Sequence, residues 1–415
     1  MKIAIFSDIH FGYAWGSERQ EDSFMQGKEA FEIALAQNAD AIYLLGDLFD
    51  VKIPQPEVVE GALRIFRDVK DKSSTRKDYP LLLSRTGKPL ELKERDGIPI
   101  IAIHGTHDQR SSDFKNPVEV LETAGMLTYL RKDWAELEKP SEDKVYLHGM
   151  SGVPDRYAKE TLEKGISEGI YAPVKPGVNL LGFHQTFTDF LPAYDDEPGV
   201  LSVNDLPKGF DLYLNGHFHW AQEVPLHDTL FLMCGSTVLT QMKQTESEIK
   251  KRVYFYDTVT KKHSYQELQT PRPFYYKRLD LTSAEPAKAI KEVEAFILES
   301  ISKPNQRKPM IRVRVLGSLA KGFTPTDLDI SSLEAKYKDR AILSLSKDLV
   351  SESLREKILE LRQAHNTKLN PEQLGQQLLD DTLKEMNFKG LIDKDKLLAL
   401  LAEGEDEKAW KSLEN

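Results

Sequence analysis

The stretch Phe210-Asp211-Leu212-Tyr213-Leu214-Asn215-Gly216-His217-Phe218-His219 ends an apolar run on Asn215-Gly216 and then sets down two imidazoles. Residues two apart in an extended chain point to the same side, so both rings reach one small volume just past a buried strand. Gly216 lets the chain turn sharply there without a side chain filling that volume. A His-X-His pair alone is a weak metal signature, because most histidines are solvated or hydrogen-bonded in a core. The rest of the chain gives it weight by repeating the arrangement.

Upstream, the apolar run at 178–183 ends on His184, and the run at 98–103 delivers His104-Gly105-Thr106-His107-Asp108. Residues 41–45 lead into Gly46-Asp47-Leu48-Phe49-Asp50, and residues 2–7 into Asp8-Ile9-His10. Each time a strand stops, a metal-competent or acid/base side chain begins. Helical patterns fall between the strands, at 30–36, 56–69, 117–124 and 161–167, with a further strand at 144–149. In the second helix Val59, Leu63, Phe66 and Val69 share a face, and Pro56 suits a first turn. Strands alternating with helices predict an α/β sheet whose ligands collect beyond the carboxyl ends of the strands. Residues 70–97 read as an inserted loop or hairpin with an apolar island at 81–83. His104 alternates away from the site and is expected in packing. His148 ends an apolar run without matching a motif, and His227, His263 and His365 sit in polar surroundings.

At 415 residues, 40% hydrophobic and 29% charged, the chain has room for two or three globular domains. Its single cysteine, Cys234, excludes an internal disulfide framework and thiolate-rich zinc sites, so nitrogen and oxygen must hold any metal. No apolar run of membrane-spanning length occurs, and Asp8 cuts the first apolar run too short for a signal peptide. A cytoplasmic protein without membrane partners is expected. The net charge of −10 argues against coating nucleic acid by charge alone, although clustered bases and bound cations reverse the sign locally.

Past the histidine pair, residues 230–233 and 252–256 read as strands closing the sheet, with 241–251 a polar loop. The prolines in 272–276 suggest a boundary. Strands at 276–281, 310–316 and 340–345 and a helix carrying Ile290, Val293, Ile297 and Ile301 follow, a small α/β unit. From 351 the composition turns helical. Asn370-Pro371-Glu372-Gln373 is a helix start, and Leu374, Leu378, Leu379, Leu383 and Met386 form a stripe that must be buried somewhere.

Asp8-X-His10, Gly46-Asp47-X-X-Asp50, Gly105-X-His107-Asp108, His184 and Gly216-His217-X-His219 resemble the signature of the calcineurin-like metallophosphoesterases. The Ser7-to-Gly12 opening, the Gly-Asp-Leu-Phe stretch and Gly235-Ser236-Thr237 resemble that superfamily's double-strand-break repair nucleases, SbcD in bacteria and the MRE-eleven nuclease in archaea and eukaryotes. The resemblance implies a metallophosphoesterase β-sandwich flanked by helices over 1–272, a DNA-capping α/β domain over 273–347 and a helical tail over 348–415. It implies two divalent cations, most naturally Mn2+. Asp8, His10, Asp47 and His219 would hold the first, and Asp47, Thr106, His184 and His217 the second. His107 would stand by the phosphate as the catalytic residue. Two cations about 3.5–4 Å apart polarise a scissile phosphate and activate water for in-line attack.

Two positions depart from the pattern. Thr106 stands where relatives carry asparagine, a longer neutral ligand. Asp50 stands where archaeal relatives often place a histidine, and its charge opposes an incoming phosphate unless it pairs with a base or a metal-bound water. The implied partners are DNA, a second copy meeting through the 56–69 and 117–124 helices, and a Rad-fifty/SbcC-type ATPase gripping the tail. Lys303, Arg307, Lys308, Arg312 and Arg314 are candidate phosphate contacts. The implied activity is a 3′-to-5′ exonuclease and single-strand endonuclease. The alternatives are a small-substrate phosphodiesterase and a DNA-end scaffold whose metal site has decayed.

Overall fold

In a computed structural model that describes residues 1–84, 97–111, 113–191 and 200–349, the apolar runs form two stacked sheets. The first contains β1 (Lys2–Phe6), β2 (Ala41–Leu45), β4 (Ile100–Ile103), β5 (Thr128–Tyr129), β12 (Arg252–Asp257) and β13 (Lys262–Glu267). Their order is β13-β12-β1-β2-β4-β5, with β1, β2, β4 and β5 parallel. The second contains β3 (Leu81–Ser84), β6 (Lys132–Glu138), β7 (Val145–Met150), β8 (Val178–Phe183), β9 (Leu212–Asn215), β10 (Gln222–Leu226) and β11 (Thr229–Met233). Its order is β10-β11-β9-β8-β7-β6-β3, with β7, β8, β9 and β11 parallel.

Period-two alternation explains the layering. Ile3, Ile5, Tyr43, Leu45, Ile101 and Ile103 from the first sheet join Leu147, Leu180, Leu212, Leu214 and Leu232 from the second in one buried cluster. The alternate residues Ala4, Phe6, Ile42, Leu44 and Ala102 turn the other way, onto α1 (Asp22–Ala36), α2 (Pro56–Ser73) and α3 (Pro117–Thr123). Leu181, Phe183, Tyr213 and Phe231 pack beyond the second sheet with α4 (Asp155–Ser167). A sheet covered on both faces needs uninterrupted apolar strands, and each fully buried leucine or isoleucine contributes about 1.5–3 kcal/mol.

Several local expectations are corrected. Residues 70–97 are not one insertion: α2 runs on through Ser73, and Leu81–Ser84 adds an edge strand beside β6. The two strands expected to close one sheet belong to different sheets, β11 parallel to β9 and β12 antiparallel to β1. The polar stretch 241–251 contains a short helix, α5 (Gln244–Glu248).

Contacts divide the chain into a larger unit, Met1–Tyr276 with Ile301–Arg312 and Arg340–Ile342, and a smaller one. Among the described residues, the smaller unit takes Lys277–Ser300, Val313–Asp339 and 343–349. β14 (Phe274–Ala284), β15 (Met310–Leu319) and β16 (Ile342–Leu349) make a three-stranded sheet, accompanied by α6 (Pro286–Ser302) and α7 (Ser331–Tyr337). Among the candidate phosphate contacts, Arg307 pairs with Asp22, Lys308 with Glu18 and Arg314 with Asp348, while Lys303 lies over the Tyr275 ring. Arg312 also has an internal partner. The leucine-rich tail and His365 lie outside the described residues.

Candidate metal centre

The parallel strands of both sheets deliver their carboxyl ends to one place. Asp8 and His10 follow β1, Asp47 follows β2, His184 follows β8, and His217 and His219 follow β9. The loops after β1 and β2 are laced together by backbone bonds, Asp8 N–H to Gly46 O and His10 N–H to Asp47 O, both 3.0 Å. The chain is strained here: φ is 52° at Asp8, 50° at His10, 47° at Asp47 and 69° at His217. A left-handed backbone at such residues costs about 1–3 kcal/mol each and persists where the surroundings over-determine it. Gly216 does not make the turn; left-handed His217 does. Glycine is required at 216 because a Cβ would lie 2.2 Å from Ser7 Oγ and 2.4 Å from the Leu45 carbonyl.

The ligand-type atoms fall into three groups, Asp8 with His10 and His219, His10 with Asp47 and His107, and Asp47 with His184 and His217. Within each group they lie within 4.8 Å of one another. Asp8 Oδ1, His10 Nε2 and His184 Nε2 are buried without a hydrogen-bond partner. Buried polar atoms without a hydrogen-bond partner are expensive, so this set fits cations, and its mix of imidazole and carboxylate without sulfur suits manganese or iron. Thr106 is half-buried, and its hydroxyl makes no hydrogen bond among the described residues.

The rings are held from behind. His184 Nδ1 meets the Leu45 carbonyl at 2.7 Å, which leaves Nε2 for the centre. His219 Nδ1 is bonded to the Thr240 hydroxyl, and His217 Nε2 lies 3.1 Å from Thr186 Oγ1. Asp50, unlike a carboxylate facing an incoming phosphate, sits 3.2 Å from His10 Nδ1. Its backbone carbonyl also receives His107 Nδ1 at 2.6 Å, so one residue sets both rings. Partners of this kind typically tune metal affinity by about 10–100-fold. Asp50→Asn is accordingly expected to weaken manganese binding to that extent in a calorimetric titration; unchanged affinity would free Asp50 from this role.

The buried charges of the centre set the protonation of its rings and carboxyls. Burial opposes a charge on His184, but Asp47 and Asp8 outweigh it and raise the ring to about 10. Burial pushes the Asp47 carboxyl up, but His184 and His10 prevail and hold it well below the usual range. Asp8 is raised, by burial and then by the Asp47 charge. Burial and the His184 charge take His217 down to about 4, and burial with the His10 and Lys251 charges takes His219 to about 2. Ligation by His184 thus needs a proton removed, whereas His217 and His219 are already neutral at pH 7. Burial opposes a charge on His10 too, but Asp50, Asp47 and Asp8 outweigh it, so manganese binding is expected to release protons from His184 and His10, with affinity rising as pH rises towards about 10. Calorimetry in buffers of different ionisation enthalpy reads this directly.

Two supporting residues carried no assignment in the sequence. Asp108 accepts the backbone N–H groups of Leu48, Phe49 and Gly105 at 3.1, 2.9 and 3.1 Å, tying the β2 and β4 loops together. Its place directly after His107 was the available signal. Lys251 is buried, and its ammonium donates to the His219 carbonyl and Ser236 Oγ at 2.8 Å and to Glu246 Oε1 at 2.6 Å. Nothing in a polar run announces a buried ion pair. His104 and His148 are structural: His104 bonds Tyr129 and Gly152, and His148 bonds Ile170 and Asn179.

Comparison with known proteins agrees with this geometry. The family model of the calcineurin-like phosphoesterases matches residues 1–221. The chain is 28% identical over 268 residues to the double-strand break repair protein MRE11 of Encephalitozoon cuniculi, covering 60% of this chain and 44% of that protein. It is 25% identical over 389 residues to MRE11 of Rattus norvegicus, covering 82% and 53%. With Mre11 of Sulfurisphaera tokodaii it shares 27% over 224 residues, covering 52% and 49%. The chain thus spans about half the length of these relatives. A family model that covers more than half the sequence, on a sandwich whose strand ends gather the same carboxylates and imidazoles, places the chain in the calcineurin-like phosphoesterase family.

Proposed function

We propose that the chain is the nuclease subunit of a DNA double-strand-break repair complex, hydrolysing phosphodiesters with two divalent cations, manganese by preference. This rests on one feature: the orphaned ligand atoms converge beside an open cavity of about 550 Å3 lined by Asp47, His107, His217 and His219. Asp8, His10, Asp47 and His219 would hold one cation and Asp47, Thr106, His184 and His217 the other. When bound, the pair would polarise the scissile phosphate and activate water. His107 is exposed, and with Nδ1 committed to the Asp50 carbonyl its Nε2 is free to meet the phosphate or the leaving oxygen.

The relatives named as double-strand break repair proteins support DNA as the substrate; cleavage would run from 3′ ends and within single strands. Residues 273–347 would cap the DNA, and residues 348–415 would dock on a Rad-fifty/SbcC-type ATPase. Two copies would meet through α2 and α3, where Val120 is 44% exposed. No helix among the described residues is long and apolar enough to cross a membrane.

Labelled duplex and single-stranded DNA incubated with manganese test the proposal against bis-p-nitrophenyl phosphate. Cleavage of DNA is expected. Hydrolysis of the small ester with DNA left intact would assign a small-substrate phosphodiesterase instead. Normal DNA binding with at most one manganese per chain would assign a scaffold.

A further inference from the structure

Phosphate hydrolysis leaves part of the cavity over the metal centre without a role. Beside the site residues, its lining includes Phe190, Leu191, Phe218 and Trp220, together with Gln241, Lys243 and Thr245. Phe218 is buried and touches both aromatic neighbours, with ring centroids 6.0 Å from Phe190 and 4.9 Å from Trp220. Phe190 is further backed by Phe231, stacked at 5.5 Å, and by Phe187 at 6.5 Å. Those two backing rings are fully buried, whereas Phe190 and Trp220 are only half-buried. Two aromatic surfaces therefore stay partly open while a packed aromatic layer fixes their positions.

Their placement relative to the metal residues is set by the chain itself. Phe218 lies between His217 and His219, Trp220 follows His219 directly, and the Phe218 and His217 rings are 5.7 Å apart. Any phosphate on the metal centre has these rings within a nucleotide's reach. Lys243, in the same cavity, is exposed, and its ammonium makes no hydrogen bond or ion pair among the described residues.

We propose that Phe190 and Trp220 form a base-stacking platform that receives one unpaired nucleotide of single-stranded DNA while an adjacent phosphate of that strand lies on the metal centre. Lys243 meets a neighbouring phosphate. The cleaved phosphate rests on the proposed nuclease function; the platform rests on the aromatic geometry. Inside a duplex both faces of a base are covered, so a single-stranded or extruded base, or one at a duplex end, offers a face to the rings. Stacking tolerates any sequence because every base has a π face. Rings already held in place lose little freedom on binding.

The test uses the full chain and two fluorescein-labelled oligothymidylates, one with every base present and one with a central run of abasic residues. Binding is read by anisotropy without divalent cation, and cleavage separately with manganese. Wild type is expected to bind the complete strand about tenfold more tightly than the abasic one, the size one stacked base carries. Phe190→Ala and Trp220→Ala should bring that ratio towards one, and Trp220→Tyr should keep most of it. Lys243→Ala should weaken both strands equally, because it meets phosphate rather than base. A wild-type ratio near one, or a ratio that survives both alanine variants, overturns the platform. A preserved base preference without manganese-dependent cleavage of either strand retains the platform and overturns the nuclease.

Discussion

Replacing Lys251 by methionine is expected to lower folding stability by about 3–5 kcal/mol, the cost of leaving one member of a buried ion pair without its partner. Lys251 is buried, and Glu246, also buried, would lose the ammonium 2.6 Å from its carboxylate. The His219 carbonyl and Ser236 Oγ would lose their donor in the same step. Because the Lys251 ammonium holds the His219 backbone carbonyl while Thr240 holds its ring, manganese affinity should fall along with stability. Thermal unfolding of Lys251→Met, Glu246→Gln and the double variant separates the contributions. The double variant should recover part of the loss, since it removes the uncompensated charge. A single lysine variant as stable as wild type would mean that Glu246 reaches solvent or protonates without cost.

The largest expected effect on catalysis is at His107. His107→Ala should reduce DNA cleavage by about 10²–10⁴-fold, the range of a positioned acid or base. Its metal content should persist for a reason visible in the backbone: the bond to Asp47 Oδ1, at 2.8 Å, comes from the His107 main-chain N–H. An alanine keeps that bond. His107 also stands within 4.8 Å of ligand atoms on His10 and Asp47, so a direct hold on a cation is the competing role. Elemental analysis beside the nuclease assay decides between them. Full manganese with lost cleavage assigns the ring to phosphate chemistry, and lost manganese assigns it to the metal. Undiminished cleavage would remove His107 from the mechanism.

The inner framework of this fold was legible because of how it is buried. Residues 41–45 and 178–183 are strands with those same limits, since a parallel strand covered on both faces must be apolar throughout. The loops that follow them carry polar residues immediately, so the change of composition marks the strand end and the site together. Edge strands lack that contrast. Lys262–Glu267 is largely exposed, and β6 alternates charged with apolar residues, so neither stands out from a loop. The candidate ligands were legible as types at strand ends, but their supports were not. Asp50 read equally as an obstacle to phosphate or as the partner of a base, because a sequence shows its charge and hides its neighbour, the ring of His10. Gly216 was rightly singled out for its lack of a side chain, yet its neighbours Ser7 and Leu45 come from another sheet, and the turn was the wrong reason.

The bond from the His217 backbone N–H to Asp8 joins residues 209 positions apart, one from each sheet of the sandwich. A fragment that stops short of His219 therefore lacks part of the ligand set, and a ribosome must release the chain beyond β9 before a cation finds all its ligands. Manganese would then bind only finished molecules and draw the folding equilibrium towards them, by RT ln(1 + [M]/Kd). In a cell short of that metal, the first symptom would be scarcity of the protein rather than sluggishness of its chemistry.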